Sequence, residues 1–460
     1  MIKFFLDQHG CAKNQVDGEL LISYLEKAGY VQTSDPNDAG LIVVNTCGFI
    51  ESAKKESLDS LIRARRDFPK AKIVLAGCLA ERYAGVFAGS LSEADGIFGN
   101  GDLAQITQTV ESLFAGKRPV ASPPQTGVSS GERRSLLSLP GSAYVKITEG
   151  CDNCCSFCAI PLIRGSLRSR SIPDIIAEIQ GLLARGIFEI NLVGQDLAAF
   201  GTEGGNVWES QGHSPLASLL DAVSSLPGDF WLRLLYIHPD HFPLDILDCA
   251  AKDQRILPYF DIPFQSGDDR ILRAMNRAQT AEDYARLADT IRQTLGTRNT
   301  RRPVLRTTFL TGFPGETDEE AERTEAFLRR IQPDWAGVFV YSREEGTPAA
   351  RLKPQTHKKI AKERAKRLEE LQAQITRERL CAYTGTEQEV LIEEVIPPVG
   401  ESSGGFAIGR AWFQAPEIDG SVVVSYDTTD KDATEALTPG KRAIVRITGS
   451  SDVDLQGDVV

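Results

Sequence analysis

The sequence predicts an α/β chain in three parts: an N-terminal open parallel-sheet domain, a central partial (β/α)6 barrel and a small C-terminal β-barrel of OB-like size. Three observations predict it. Apolar strand-like runs alternate with helical periodicity through residues 1–118. The same alternation resumes at 143 and repeats six times. From about 380 it gives way to short strands separated by Gly, Pro and acidic turns.

In chain order, "IKFFLD" (2–7), "LIVVN" (41–45) and "KIVLA" (72–76) read as strands, with helical patterns at about 17–28 and 51–67 between them. This is a βαβαβ unit with a mostly parallel sheet. Residues 119–142, rich in Pro, Gly and Ser, read as a linker. The domain 143–379 carries the candidate strands 143–147, 189–194, 231–236, 256–262, 304–310 and 335–341. Pro173 sits near one helix start, and "TDEE" (317–320) is a capping box before another. A (β/α) barrel places its site at the C-terminal strand ends. Residues 353–379 form a basic helix, nine Lys/Arg against four Glu, with Ala361, Ala365, Leu368, Leu371 and Ile375 as its buried stripe. "EQEVLIEEVI", "GFAIGRAWF", "SVVVSYD" and "RAIVRITGS" are the strands of a barrel over 380–448, leaving 449–460 as a tail.

The 460 residues are 42% hydrophobic and 25% charged, with a net charge of −12. That composition is ordinary for a globular protein and disfavours a general nucleic-acid-binding surface. The first residues do not read as a secretory signal, and no apolar run reaches the ~18 residues of a membrane span. A cytoplasmic location is expected, where the nine cysteines stay reduced and serve metals or redox chemistry.

Four cysteines crowd into "EGCDNCCSFCAIP" (149–161). Cys155 and Cys158 form a CxxC, and Cys151, Cys155 and Cys158 form a three-thiolate loop. Such a loop can hold three irons of a [4Fe–4S] cluster and leave the fourth open for a ligand. Cys154 diverges from its neighbour and reads as a bystander. Phe157 could cover the cluster or a ligand's ring. A zinc site lacks a nearby fourth ligand, since no histidine lies within fifty residues. Cys11, Cys47 and Cys78 each follow a strand of the first domain. If those strands are neighbours, the thiols share one sheet edge, where open α/β sheets bind ligands. The alternative is three separate buried cysteines.

CxxxCxxC with an aromatic before the last cysteine resembles the signature of radical S-adenosylmethionine enzymes. "HGCAKNQVDGE", "VNTCGFIESAKKES" and "AGCLAERY" resemble the N-terminal domain of their methylthiotransferase family, and the terminal barrel resembles a TRAM domain, so the match spans essentially the whole chain. The resemblance implies a radical-SAM barrel and two [4Fe–4S] clusters, with Cys151, Cys155 and Cys158 as catalytic cluster ligands and Cys11, Cys47 and Cys78 holding the second cluster. It implies S-adenosylmethionine as both methyl donor and radical source, and an electron donor. It makes "GFPGE" a backbone wall for S-adenosylmethionine through Gly312 and Gly315; the other reading is a tight βα turn. Gln195 could bond the ligand's amino or ribose groups. Gln265 and Arg306 are pocket candidates, though Arg306 could instead be a paired structural arginine. His238 and His241 read as structural or surface residues, Cys249 and Cys381 as packing.

Two branches of the family differ in substrate. "LRLLYIHPD" and "YSREEGTPAA" resemble the branch that modifies the β-carbon of an aspartate in a small-subunit ribosomal protein. Two details depart from it: a QSG run at 265–267, and Gly18 where serine is usual. Residues 381–460 hold five Lys/Arg against fourteen Asp/Glu, a net −9. This acidity suits a basic ribosomal protein and opposes tRNA docking, which needs cations for phosphate. A monomer is expected. The rivals are methylthiolation of a tRNA adenosine, a zinc or thiol-redox protein without radical chemistry, and an RNA- or ribosome-binding module without catalysis.

Overall fold

A computed structural model of the chain describes residues 1–203, 212–299, 301–398 and 404–460. The first domain is a six-stranded parallel sheet made of β1 (Lys3–Gln8), β2 (Val31–Gln32), β3 (Leu41–Thr46), β4 (Lys72–Gly77), β5 (Gly96–Phe98) and β6 (Val120–Ala121), in the order β2-β1-β3-β4-β5-β6. Every residue of β3 is buried, as an interior parallel strand demands. The order reverses between β1 and β3, which makes the crevice above those strand ends the expected ligand site. Helices α1 (Ala12–Lys27), α2 (Glu51–Asp67) and α3 (Cys78–Ser90) follow β1, β3 and β4.

The second domain is an open parallel sheet of six strands in strictly sequential order: β7 (Ser142–Lys146), β10 (Glu189–Val193), β11 (Trp231–Leu234), β12 (Ile256–Asp261), β13 (Val304–Thr311) and β14 (Trp335–Val340). Strands β7 and β14 remain unpaired edges, so this is the expected partial barrel. A small antiparallel ribbon, β8 (Thr148–Glu149) with β9 (Arg168–Ser169), follows the first strand. The capping box at Thr317 and Glu320 is present in both directions. On the long helix Lys358–Cys381, Ala361, Ala365, Leu368 and Ile375 are buried and Leu371 is half-buried. The basic residues of that helix largely face outward.

The terminal barrel closes through β15 (Glu387–Ile396), β16 (Gly404–Ala411), β17 (Val422–Asp427), β19 (Leu455–Val459) and β18 (Arg442–Ser450).

Two expectations are corrected. Residues 449–460 are not a tail: β19 pairs with β17 and β18 and completes the barrel. The reading failed because "LQGDVV" is short and half polar. Nor does 119–142 behave as a linker. Its start is β6, paired to β5, and further along the segment Arg133 is fully desolvated against Glu19, Glu178 and the Tyr144 carbonyl. Pro, Gly and Ser here allow an irregular path, but the segment's backbone and side-chain partners hold it down.

Candidate functional site

The loop 151–158 is pinned at both ends. Gly150 adopts a left-handed φ of 73° because any side chain there would overlap the Ser166 carbonyl, and Cys151 N–H donates to the Gly165 carbonyl at 3.1 Å. At mid-loop, Ser156 N–H donates to the Met275 carbonyl (3.0 Å) and its hydroxyl to the Ala274 carbonyl (2.7 Å). Phe157 packs on the cluster of Ile271, Met275, Phe313 and Ala349, so it anchors the loop. Cys151, Cys155 and Cys158 are half-buried, while Cys154 is exposed, its backbone in the left-handed region at φ 49°.

Burial pushes the Cys151 and Cys158 thiols up to about 12, and neighbouring Cys155 adds to both. Within the loop, Cys158 N–H donates to the Cys155 carbonyl at 3.0 Å. Asp196 supports this loop from β10's end: it accepts from Asn153 Nδ2 (2.7 Å) and His238 N–H (3.0 Å), and its Oδ2 lies 2.6 Å from His241 Nε2. Burial opposes its ionisation, but His241 holds the carboxyl at about 2. His238 is itself buried, with Nε2 3.8 Å from Cys155 Sγ and its ring stacked on His241. Burial, then Arg277, pushes His238 down to about 3, so the imidazole is neutral beside the sulfur. Sequence reasoning left both histidines outside the site. The signal was "GQD", whose Asp196 binds them both.

The second set converges as the strand order requires. Cys11 is the N-cap of α1, Cys78 is the first residue of α3, and Cys47 lies between β3 and α2. Helix N-termini favour negative charge, hence thiolates. The loops touch: a Cβ on Gly48 would lie 2.6 Å from the Cys78 carbonyl oxygen, and one on Gly10 3.3 Å from Cys47 Cβ. Burial pushes Cys47 up to about 12, and Cys78 and Cys11 add to the rise. Cys11, an exposed residue, moves the other way: Lys13 and Arg164 outweigh desolvation and hold its thiol below the ordinary value. Among the described residues no three His, Cys, Asp or Glu side chains converge as one bound ion requires.

Residues of the two domains meet beside the first-domain set. Arg164 Nη2, from the second domain, donates to Cys78 Sγ at 3.1 Å, and Lys13 Nζ sits 3.5 Å above the ring centroid of Tyr236, just beyond β11. Neither residue was singled out from the sequence. Gln195 donates from Nε2 to Glu149 Oε1 at 3.1 Å, and its buried Oε1 has no partner among the described residues. Gln265 holds a left-handed φ of 70°, its backbone bonded to Thr308 and Leu310 of β13.

Three residues read as ligand contacts have partners within the protein. Gly312 is tight because Ala361 occupies the place of its Cβ, and its N–H donates to Glu316 Oε2 (2.7 Å). Gly315 N–H donates to the Pro354 carbonyl (2.8 Å). "GFPGE" is thus a turn clamped by the segment leading into and including the long helix. Arg306 bonds Asp261 at 3.0 Å and lies 3.4 Å from Asp419 of the terminal barrel. Cys381 is exposed rather than packed.

Comparison with known proteins gives three family matches: Uncharacterized protein family UPF0004 over residues 3–99, the Radical SAM superfamily over 145–328 and a TRAM domain over 384–460. The chain is 49% identical over 469 residues to the ribosomal protein uS12 methylthiotransferase RimO of Treponema denticola, covering 99% of this chain and 100% of that one. It is 38% identical to the protein of the same name from Desulfosudis oleivorans, at 99% and 100% coverage. Among solved structures, the radical S-adenosylmethionine methyltransferase TsrM of Kitasatospora setae aligns with a TM-score of 0.52 and 16% identity over 73% of this chain and 72% of that one, a likeness of fold alone. With near-half identity end to end and a family match for each of its three domains, the chain belongs to the RimO family of radical S-adenosylmethionine methylthiotransferases.

Proposed function

We propose that this chain transfers a methylthio group to an aspartate β-carbon of ribosomal protein uS12, in the cytoplasm and as a monomer, with electrons from a separate donor. Cys151, Cys155 and Cys158 would hold one [4Fe–4S] cluster, and Cys11, Cys47 and Cys78 a second. The observation that supports this most is that the second domain reaches the first-domain set, where Arg164 Nη2 donates to Cys78 Sγ at 3.1 Å. When bound, the clusters and S-adenosylmethionine supply the radical and the sulfur chemistry.

The chain's own part is placement. Ser156 and Phe157 fix the loop that carries one thiol set, and Asp196 fixes its flank through Asn153. Gln195 offers an open acceptor. Lys13, held over the Tyr236 ring, supplies a cation for the anionic side chain of an aspartate substrate. The acidic terminal barrel, net −9, complements a basic ribosomal protein.

The test is iron and sulfide analysis after anaerobic reconstitution, followed by mass spectrometry of uS12 incubated with S-adenosylmethionine and reductant. About eight irons per chain are expected, falling to about four in a Cys151/Cys155/Cys158→Ala variant. The wild type alone should add a methylthio group to uS12. Zinc in place of iron, or labelled methyl appearing in tRNA and not in uS12, would overturn the proposal.

A further inference from the structure

The first domain does not complete its own cysteine site. Arg164 ends the short helix Ile160–Arg164, six residues past Cys158, yet its guanidinium reaches across the domain boundary to Cys78. It is the strongest donor to that sulfur: Asn100 Nδ2 lies at 3.5 Å against 3.1 Å for Arg164 Nη2. The guanidinium is fixed by a ring of buried charges. Nη1 donates to Glu149 Oε1 at 2.6 Å and Nη2 to Asp17 Oδ2 at 2.9 Å; Lys146 Nζ closes the ring by bonding Asp17 and, at 2.5 Å, Glu149. All four side chains are 2–6% exposed.

Two cations and two carboxylates already balance within this ring. The Cys78 sulfur is therefore an additional acceptor, served by a cation that is held in place without it. A guanidinium keeps its charge at any working pH. Glu149 immediately precedes Gly150 and Cys151, so the same ring that aims Arg164 at Cys78 also seats the root of the other cysteine loop.

We propose that Arg164 is a positioning residue that sets the reduction potential of the iron–sulfur cluster on Cys11, Cys47 and Cys78 through its charge-assisted hydrogen bond to Cys78. The inference rests on the reading above that these three thiols hold a cluster. Reduction adds a negative charge to a cluster. A nearby fixed cation and an N–H···S bond stabilise the reduced form more than the oxidised one, and so raise the midpoint. A neutral side chain at 164 lowers it.

The test uses the full chain in a Cys151/Cys155/Cys158→Ala background, so that only the first-domain site can load. After anaerobic reconstitution, iron is counted and the one-electron couple is titrated potentiometrically by EPR. About four irons per chain are expected, with a more negative midpoint in Arg164→Gln and an intermediate one in Arg164→Lys, which keeps the charge and loses the fork. Arg170→Gln removes a buried arginine from the neighbouring Asp174–Glu178 pairs, touches no cysteine, and should leave the midpoint in place. A second measurement needs no loss of the buried charge: with 15N-arginine, the reduced cluster should show a nitrogen hyperfine coupling that Arg164→Lys abolishes. This also decides the matter should Arg164→Gln fail to fold. Iron retained with an unchanged midpoint, an equal shift in Arg170→Gln, or no arginine coupling would overturn the inference. Absence of iron in this background with Arg164 intact would instead overturn the reading beneath it.

Discussion

Single residues divide here by what stands in the space beside them. Gly312 sits at φ 72° with Ala361 where its Cβ would go, whereas Gly315, at φ 76°, has no atom nearer than 4.0 Å to such a Cβ. Gly312→Ala should therefore carry both the left-handed penalty and an overlap, about 2–4 kcal/mol in all. Gly315→Ala should carry only the first, about 1–2 kcal/mol. Urea melts of the two variants check this, and equal losses would mean that the long helix simply shifts aside. Gly18 answers a question its sequence position raised: a side chain there would overlap Gln8 Oε1, which accepts from Asn45 Nδ2 at 2.9 Å. The six cysteines could be singled out because their spacing, or their place after strands, is local information. Arg164 and Lys13 were not, because what defines them lies far along the chain: Cys78 is 86 residues before Arg164, and Tyr236 belongs to another domain.

Elements were legible where periodicity ran long and were lost where pairing alone made the structure. The six strands of the central sheet and the helices at 51–67 and 318–331 follow their patterns closely. Two-residue strands such as β2 and β6 carry no pattern. Arg133 shows what the supposed linker does instead. It pairs with Glu19 of α1 and with Glu178 of the helix Ile172–Ala184, so one side chain buckles the first domain to the second. Arg133→Ala strands the buried Glu19 carboxylate without its cation; a loss of about 3–5 kcal/mol is expected. Limited proteolysis should then cut within 119–142, a segment that stays protected in the wild type. Arg133→Lys, which cannot reach three partners at once, should fall between the two.

At the scale of the molecule, the terminal barrel is fastened by buried polar contacts. Arg410 of β16 bonds Glu189 of β10 at 2.6 Å, Arg233 of β11 bonds the same carboxylate at 2.9 Å, Tyr259 donates to Asp419 at 2.6 Å, and Trp335 Nε1 donates to the Phe413 carbonyl at 2.8 Å. Burial raises the Glu189 pKa, but Arg410 and Arg233 outweigh it and hold the carboxyl at about 2, against 4.5 when unperturbed. The unfolded chain thus binds its proton first as pH falls. The stability from this group, about 3 kcal/mol, is complete above pH 4.5 and is lost as pH drops towards 2. Tryptophan fluorescence melts should show that loss. Glu189→Gln should be less stable at pH 7 and should lack this part of the acid dependence. The three-part architecture was legible from the alternation of strands and helices; how the parts are fastened was not, since the bonds of Arg410, Tyr259 and Trp335 each join residues from separate domains.

The placement of Cys11, Cys47 and Cys78 beyond the ends of β1, β3 and β4 has a further consequence. Adjacent strands lie ~4.8 Å apart, so the pleated sheet acts as a ruler that sets the lateral separation of the three sulfurs. Along the strand, the smallest step on that ruler is one residue, ~3.3 Å, and each step turns the side chain to the opposite face. Tolerance for error is therefore coarse and all-or-none. Adding one residue within β4 would leave every cysteine in the chain, yet carry Cys78 out of reach of the other two.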